Sequence, residues 1–86
     1  MPYIKQQERD RFENLVKSMH LTAVLNAGEL NYLITQLVHS FLETKARSYQ
    51  NYNDALGALE GAKLELYRQH IAKYEDVKIA LNGDVP

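Results

Sequence analysis

One segment in the C-terminal half of the sequence combines residue types that bind phosphate groups and nucleobases. Arg68 follows Tyr67, His70 lies two residues further on, and Lys63 precedes them by about one helical turn. A guanidinium offers a planar fork of donors that matches phosphate oxygens, so Arg68 is the best single phosphate-binding candidate. The alternative is a surface ion pair between Arg68 and Glu65 at i,i+3 spacing.

Tyrosine dominates the aromatic residues: the chain has six Tyr, two Phe and no Trp. Tyrosine joins an aromatic face to a polar hydroxyl, which suits interfaces and half-exposed surfaces. Each tyrosine taken singly fits a core or interface role, but as a set they could stack on nucleobases. The candidate ligand-binding residues are Tyr32, Tyr52, Asn53, Lys63, Tyr67, Arg68 and Tyr74.

The spacing of the other reactive residues does not favour metal binding or catalysis. The chain has no cysteine, and therefore no disulfide, thiolate metal site or cysteine nucleophile. Metal-binding helical bundles use Glu-x-x-His motifs, but Gln36 and Tyr67 stand three residues before His39 and His70. The serines lack a nucleophile-elbow motif, and no phosphate-binding loop is present. We therefore expect a binding protein rather than an enzyme, with no metal and no cofactor.

Length and charge indicate one small domain over residues 1–86 and disfavour several classes of function. The 86 residues include 10 Lys+Arg and 11 Asp+Glu, for a net charge of -1. Nucleic-acid binders usually show a basic excess, so we expect no general DNA or RNA binding. No apolar run approaches the ~20 residues of a membrane span, and the charged N-terminal segment differs from a signal peptide. The expected location is the cytoplasm.

The elements that must position these residues are helical. Apolar residues recur at helical spacing, and the two prolines, Pro2 and Pro86, lie near the ends. The pattern predicts an all-α fold, a small bundle of three main helices. Their expected ranges are 6–19, 27–47 and 54–72, the last with room to extend to 81.

The same pattern predicts where the helices are capped. Asn26 precedes the second helix and can accept a free amide of its first turn, as Asn51 or Asn53 can for the third. Residues 48–54 are expected to be a polar linker. Gly83 is suited to end the third helix, because glycine tolerates the left-handed region.

The second helix and two glycines predict association with another molecule. A helix over 27–47 would be roughly 30 Å long, against a radius of gyration of ~12 Å for this chain length. Three helices of this size cover their own apolar faces poorly, so we expect a homo-oligomer. Gly57 and Gly61 each cost the third helix ~1 kcal/mol relative to Ala, which indicates close helix packing or a ligand lying over them.

Several segments carry a resemblance to known sequences. They are GELNYLIT at 28–35, NYND through GALE at 51–60, KLELYR at 63–68, YEDVKI at 74–79 and NGDV at 82–85. They extend over most of the chain beyond residue 27 and resemble a family of small phage-encoded helical proteins. Lys73 departs from that family, in which we expect a proline here. A proline would break the third helix, whereas Lys73 allows it to continue.

The resemblance implies one function, and the apolar face of the second helix suggests an alternative. Small phage proteins of this kind include sponges, which bind the cyclic nucleotide signals of bacterial defence systems without cleaving them. A sponge would act in the host bacterial cytoplasm and hold a cyclic nucleotide between subunits, with tyrosines on the bases and Arg68 or Lys63 on the phosphates. The alternative is a helical protein–protein interaction module, an inhibitor or adaptor that uses the apolar stripe of the second helix.

Overall fold

Every regular element of the computed structural model is helical over residues 3–85, which are the residues that the structure describes. Three helical stretches, separated by short connections, confirm the predicted all-α fold with three main helices. The described chain divides into two compact units, residues 3–55 and residues 56–85.

The first stretch is longer than predicted and is built from three pieces. An α-helical turn, Gln6–Arg9, leads through a 3₁₀ turn, Asp10–Phe12, into α1, Glu13–Thr22. The predicted end at residue 19 was wrong, because no residue before Ala23 interrupts the helix. Ala23 ends it by adopting a φ of 63°, in a region that non-glycine residues rarely occupy.

The second stretch, α2, spans Ala27–Glu43 and begins at the predicted cap. The Asn26 side chain accepts a hydrogen bond from the Glu29 backbone N–H at 2.9 Å. The Glu29 carboxylate reaches back and accepts the Leu25 N–H at 2.8 Å. Two backbone amides near the helix start are therefore satisfied by a reciprocal pair that resembles a capping box.

The end of α2 falls short of the predicted residue 47. The Lys45 N–H donates to the Leu42 carbonyl, which tightens the last turn. The Thr44 hydroxyl donates to the Phe41 carbonyl at 3.0 Å and so competes with continuation of the helix. With 17 residues, α2 is about 25 Å long rather than 30 Å.

The third stretch begins earlier than predicted. Helix α3 spans Tyr49–Leu66, so most of the supposed linker over 48–54 is helical and the predicted start at 54 was wrong. The Ser48 hydroxyl accepts the Asn51 N–H at 3.2 Å, which makes Ser48 the cap in place of Asn51 or Asn53. The Asn51 side chain instead donates to the Ala46 carbonyl at 2.6 Å.

The third stretch also extends further than residue 72. A π-helical turn, Tyr67–Ile71, follows α3 and leads directly into α4, Ala72–Asn82. The predicted extension to 81 is thus confirmed, with a widened turn instead of a break before Lys73. Gly83 ends α4 with a φ of 85°, as expected for a terminating glycine.

Very little of the described chain is buried. Ala55 on α3, 8% exposed, is the one buried residue among residues 3–85. Ile34, Val38 and Leu42 form a half-buried stripe at a spacing of four along α2. The helices are well formed locally, but most of their apolar side chains remain exposed to solvent.

The reciprocal pair at the start of α2 gives a test of local stability. We expect Asn26→Ala to lower the free energy of unfolding by about 1 kcal/mol, because the Glu29 N–H loses its acceptor. Asn26→Asp keeps an acceptor oxygen and should stay close to the wild type. Urea denaturation followed by circular dichroism measures both variants. An equal loss in the two variants would contradict the capping role.

Candidate functional site

An apolar groove lies within the unit formed by residues 3–55. It lies between α1 and α2 and has a volume of about 1080 Å³. Its lining comes from both helices and from residues 23–26. The lining residues are Phe12, Leu15, Val16, Ser18, Met19, Thr22, Ala23, Val24, Asn26, Gly28, Glu29, Tyr32, Leu33, Gln36, Leu37 and Ser40.

The groove offers apolar surface and almost no charge. Among its described lining residues, Glu29 is the one acidic residue and no Lys, Arg or His is present; the Glu29 carboxylate accepts a hydrogen bond from the Leu25 N–H. Leu37 is 56% exposed, so the floor of the groove still has apolar area to lose to a partner. An uncharged groove of this kind suits an apolar side chain or an amphipathic helix better than a phosphate.

The connection between α1 and α2 is conformationally constrained. Ala23 holds a φ of 63° and a ψ of 114°, which costs an L-residue of order 1–3 kcal/mol. Three residues later Asn26 fixes the start of α2. The strained residue and the cap together set the direction in which α2 leaves the connection.

The seven predicted ligand-binding residues are divided between the two units. Tyr32 lines the groove, while Tyr52 and Asn53 lie on the first turns of α3 within the same unit. The other four belong to residues 56–85 and follow one another along the third helical stretch. They are Lys63, Tyr67, Arg68 and Tyr74.

The two cations predicted to meet phosphate both have carboxylate partners. Arg68 forms an ion pair with Glu65, with Nη2 and Oε1 2.6 Å apart, and its Nε donates to the other carboxylate oxygen. Gln69 donates to the same carboxylate. Lys63 lies 3.7 Å from Glu60. The surface ion pair weighed against phosphate binding by Arg68 is therefore confirmed.

Of the two predicted tyrosines of this stretch, Tyr67 begins the widened turn and Tyr74 follows it on α4. The Tyr67 hydroxyl donates to the Glu75 carboxylate, and this hydrogen bond and the charge of Glu75 raise the pKa of Tyr67. The Lys78 ammonium lies 5.5 Å from the centre of the Tyr74 ring. Tyr67 and Tyr74 are seven residues apart, a spacing that would place them on one face of a regular α-helix. The π-helical turn between them holds more residues than an α-helical turn and so shifts this register.

Gly57 has no neighbour within the described chain that requires a glycine. A Cβ added there would meet no atom within 4 Å. Residues 3–85 therefore do not provide, at Gly57, the close helix packing that the glycine pattern indicated.

Comparison with known proteins places the chain in a family. Residues 1–85 match a family described as a domain of unknown function, DUF6899. The chain belongs to this family. Neither the curated proteins nor the solved structures contain a match to it. The DUF6899 match includes both the groove and the widened turn.

Sequence reasoning missed the groove as a site in this DUF6899 domain. Phe12, Leu15, Val16 and Met19 recur at i, i+3, i+4 and i+7, a spacing that is typical of an inward-facing helical stripe and does not by itself indicate a groove. The sequence did contain one signal for an uncovered site. The first helix has an apolar stripe and the second has a broad apolar face, and the chain offers little further apolar surface to cover both. Glu65, whose side chain is 17% exposed, was identified only as a surface partner.

Two further findings concern the described residues of the DUF6899 domain. Over residues 3–85 no group of three or more His, Asp and Glu is arranged to hold a metal ion. No helix in that range has both the length and the apolar character needed to cross a lipid bilayer.

The contact between Tyr67 and Glu75 gives a pH prediction. Glu75→Gln should lower the pKa of Tyr67 toward its usual value of 10.0, because it removes the negative charge that disfavours the phenolate. Asp76→Asn removes a charge whose effect on Tyr67 is the weakest, so it should shift the pKa less. Titration of the Tyr67 ring carbon by NMR measures both variants. Equal shifts would contradict the assignment.

The same contact fixes the sign of the pH dependence of stability. A raised pKa means that the folded chain holds this proton more tightly than the unfolded chain does. The contribution of this contact to the free energy of unfolding should therefore be fully present below pH 10.0. It should be lost as the pH rises through the folded-state pKa of Tyr67. The Glu75→Gln variant should show a smaller loss over that interval.

Proposed function

We propose that this DUF6899 chain is a helical protein–protein interaction module whose contact surface is the groove between α1 and α2. The observation that supports the proposal is an apolar, nearly uncharged groove in a described chain with a single buried residue. Such a chain has apolar surface to offer a partner. The chain then acts by binding, and its specificity comes from the shape of the groove.

The dimensions of the groove favour a helix as its occupant. It is bordered by α1 and by most of the length of α2, and its lining residues recur at three- and four-residue spacing. An amphipathic helix presents its own apolar side chains at the same spacing and can lay them between the two rows. Each Å² of apolar surface removed from water contributes roughly 25 cal/mol.

Polar atoms at the edge of the groove can select the register of such a helix. Gln36, Ser18 and Ser40 line it together with Tyr32 and lie among the apolar residues. Uncharged donors and acceptors of this kind orient a partner without the desolvation penalty of a buried charge.

Photo-crosslinking tests this function. The photoreactive residue p-benzoylphenylalanine would replace Gln36, which lines the groove, or His39, which lies on the same helix outside its lining. We expect irradiation in bacterial cells and of the purified protein to give protein adducts from position 36 and few from position 39. Equal adducts from the two positions, or none from position 36, would overturn the proposal.

A second candidate function is the cyclic nucleotide sponge, in the anti-defence role that the resemblance to phage proteins implies. The observation that favours it is the π-helical turn at Tyr67–Ile71, since π-helical turns are rare and occur frequently at functional sites. It holds two of the seven predicted residues, Tyr67 and Arg68. Arg68 would exchange the Glu65 carboxylate for a phosphate, and the Tyr67 ring would stack on a base.

Isothermal titration with cyclic di- and trinucleotides tests the sponge. If Arg68 binds phosphate, Glu65→Gln should tighten binding, because it removes the competing carboxylate, and Arg68→Ala should abolish it. Arg11→Ala, which lies in the other unit, serves as the control and should bind like the wild type. No heat from any member of the panel at high protein concentration would rule out this function.

A further inference from the structure

The occupant of the groove can be identified from the chain itself. We propose that the groove between α1 and α2 binds a second copy of this chain, so that two copies pair groove to groove in a symmetric dimer. The inference rests on the proposed function and names the partner of the same surface. A symmetric pair uses one surface twice, so a single self-complementary groove is enough to build it.

The first argument is the exposed area. A folded monomer of 9.9 kDa is expected to expose about 5,200 Å². This chain exposes 7872 Å². The difference is about 2,700 Å² per chain, or about 5,300 Å² over two chains, which is at the upper end of the total that permanent homodimers bury, roughly 2,000–5,000 Å² or more. The groove residues contribute to this excess, since Leu15 and Leu37 are 55% and 56% exposed, and a second copy seated on the groove would cover them.

The second argument is that the partner must be present whenever the chain folds. With Ala55 as the one buried residue in 3–85, a single copy gains little from burial to offset the conformational entropy lost on folding. A partner needed for folding must be present at a matching concentration. Another copy of the same chain meets that condition, and permanent homodimers commonly have no stable folded monomer.

The third argument is the chemistry of the groove. Leu15 and Met19 on α1 face the same groove as Leu33 and Leu37 on α2, and these side chains are exposed in the single copy. Two such grooves brought together bury uncharged side chains against uncharged side chains. Glu29 adds one carboxylate per copy, already hydrogen-bonded to its own chain. Pairing therefore desolvates little charge.

The oligomeric state of matched variants tests the dimer. Leu37 lines the groove and is 56% exposed, whereas Leu30 lies on the same helix outside the lining and is 51% exposed. Sedimentation equilibrium should find the wild type dimeric. We expect Leu37→Glu to raise the dissociation constant about 100-fold or more, because two carboxylates enter the interface. Leu30→Glu should remain dimeric. Equal effects of the two substitutions would overturn the proposal.

A second measurement does not depend on the charged variant folding. The chain has no cysteine, so one introduced cysteine is the only thiol. Ser40→Cys places it in the groove, and Thr35→Cys places it on α2 outside the lining. A short bismaleimide should link two Ser40→Cys chains at least about tenfold faster than two Thr35→Cys chains, as expected for a raised effective concentration. Equal rates would overturn the dimer.

The outcomes separate this inference from the proposed function. A wild type that is monomeric at all concentrations, while position 36 crosslinks to another protein, overturns the dimer and leaves the interaction module standing. Crosslinks from position 36 at twice the mass of the chain, together with a dimer lost in Leu37→Glu, support both. A monomer without protein adducts overturns both.

Discussion

The structure depends on one constraint: its helices have more apolar surface than the described chain can cover. Ala55 is the one buried residue of 3–85, and the half-buried stripe on α2 consists of three side chains. Ordering a residue costs roughly 1–2 kcal/mol of backbone entropy, which burial of apolar surface must offset. Helix hydrogen bonds do not close this gap, because their net contribution is small. A partner seated on the exposed apolar faces would supply the missing burial, which is why the interaction module is proposed first.

The groove exists because the connection between α1 and α2 is held on both sides. On one side Ala23 takes a left-handed φ that stops α1. On the other, Asn26 and Glu29 fix the backbone at the start of α2 through hydrogen bonds of 2.9 Å and 2.8 Å. A strained residue persists only where the surrounding structure holds it in that conformation. Here the cap at the start of α2 provides part of this restraint. The apolar faces of the two helices thus line a common groove.

The sequence predicted the features that depend on local chemistry. Apolar residues at helical spacing predicted the all-α fold, Asn26 predicted a cap, and Gly83 predicted the end of the last helix. Each of these features depends on interactions within a few residues of the chain. The start of the third helix was missed because Asn51 and Asn53 favour caps and turns as strongly as Ser48 does. Only the hydrogen bond from the Asn51 N–H to Ser48 decides among them. A π-helical turn has no established sequence signal, so the prediction continued a regular α-helix through these residues.

At the candidate sites the limit of sequence reasoning was different. The pairing of Arg68 with Glu65 follows from their spacing and was among the alternatives considered, whereas the partial burial of Glu65 could not be derived from spacing. The groove could not be derived either, since it depends on how α1 and α2 lie relative to each other. A stripe identified in a sequence gives the face of a helix but not the surface that the face meets.

The charges on residues 56–85 help to rank the two proposed functions. Arg68 is 67% exposed, so its ion pair is worth little by itself, about 0–1 kcal/mol. Glu65 is different, because its side chain is only 17% exposed and also accepts a hydrogen bond from Gln69. A phosphate that captured Arg68 would leave this half-covered carboxylate without its cation and beside a new negative charge. A hydrogen bond to a charged group contributes about 1.5–3 kcal/mol, and the carboxylate would lose this contribution from Arg68 while keeping its bond from Gln69. A nucleotide must recover that loss from stacking on Tyr67, whereas an apolar partner in the groove meets no comparable penalty.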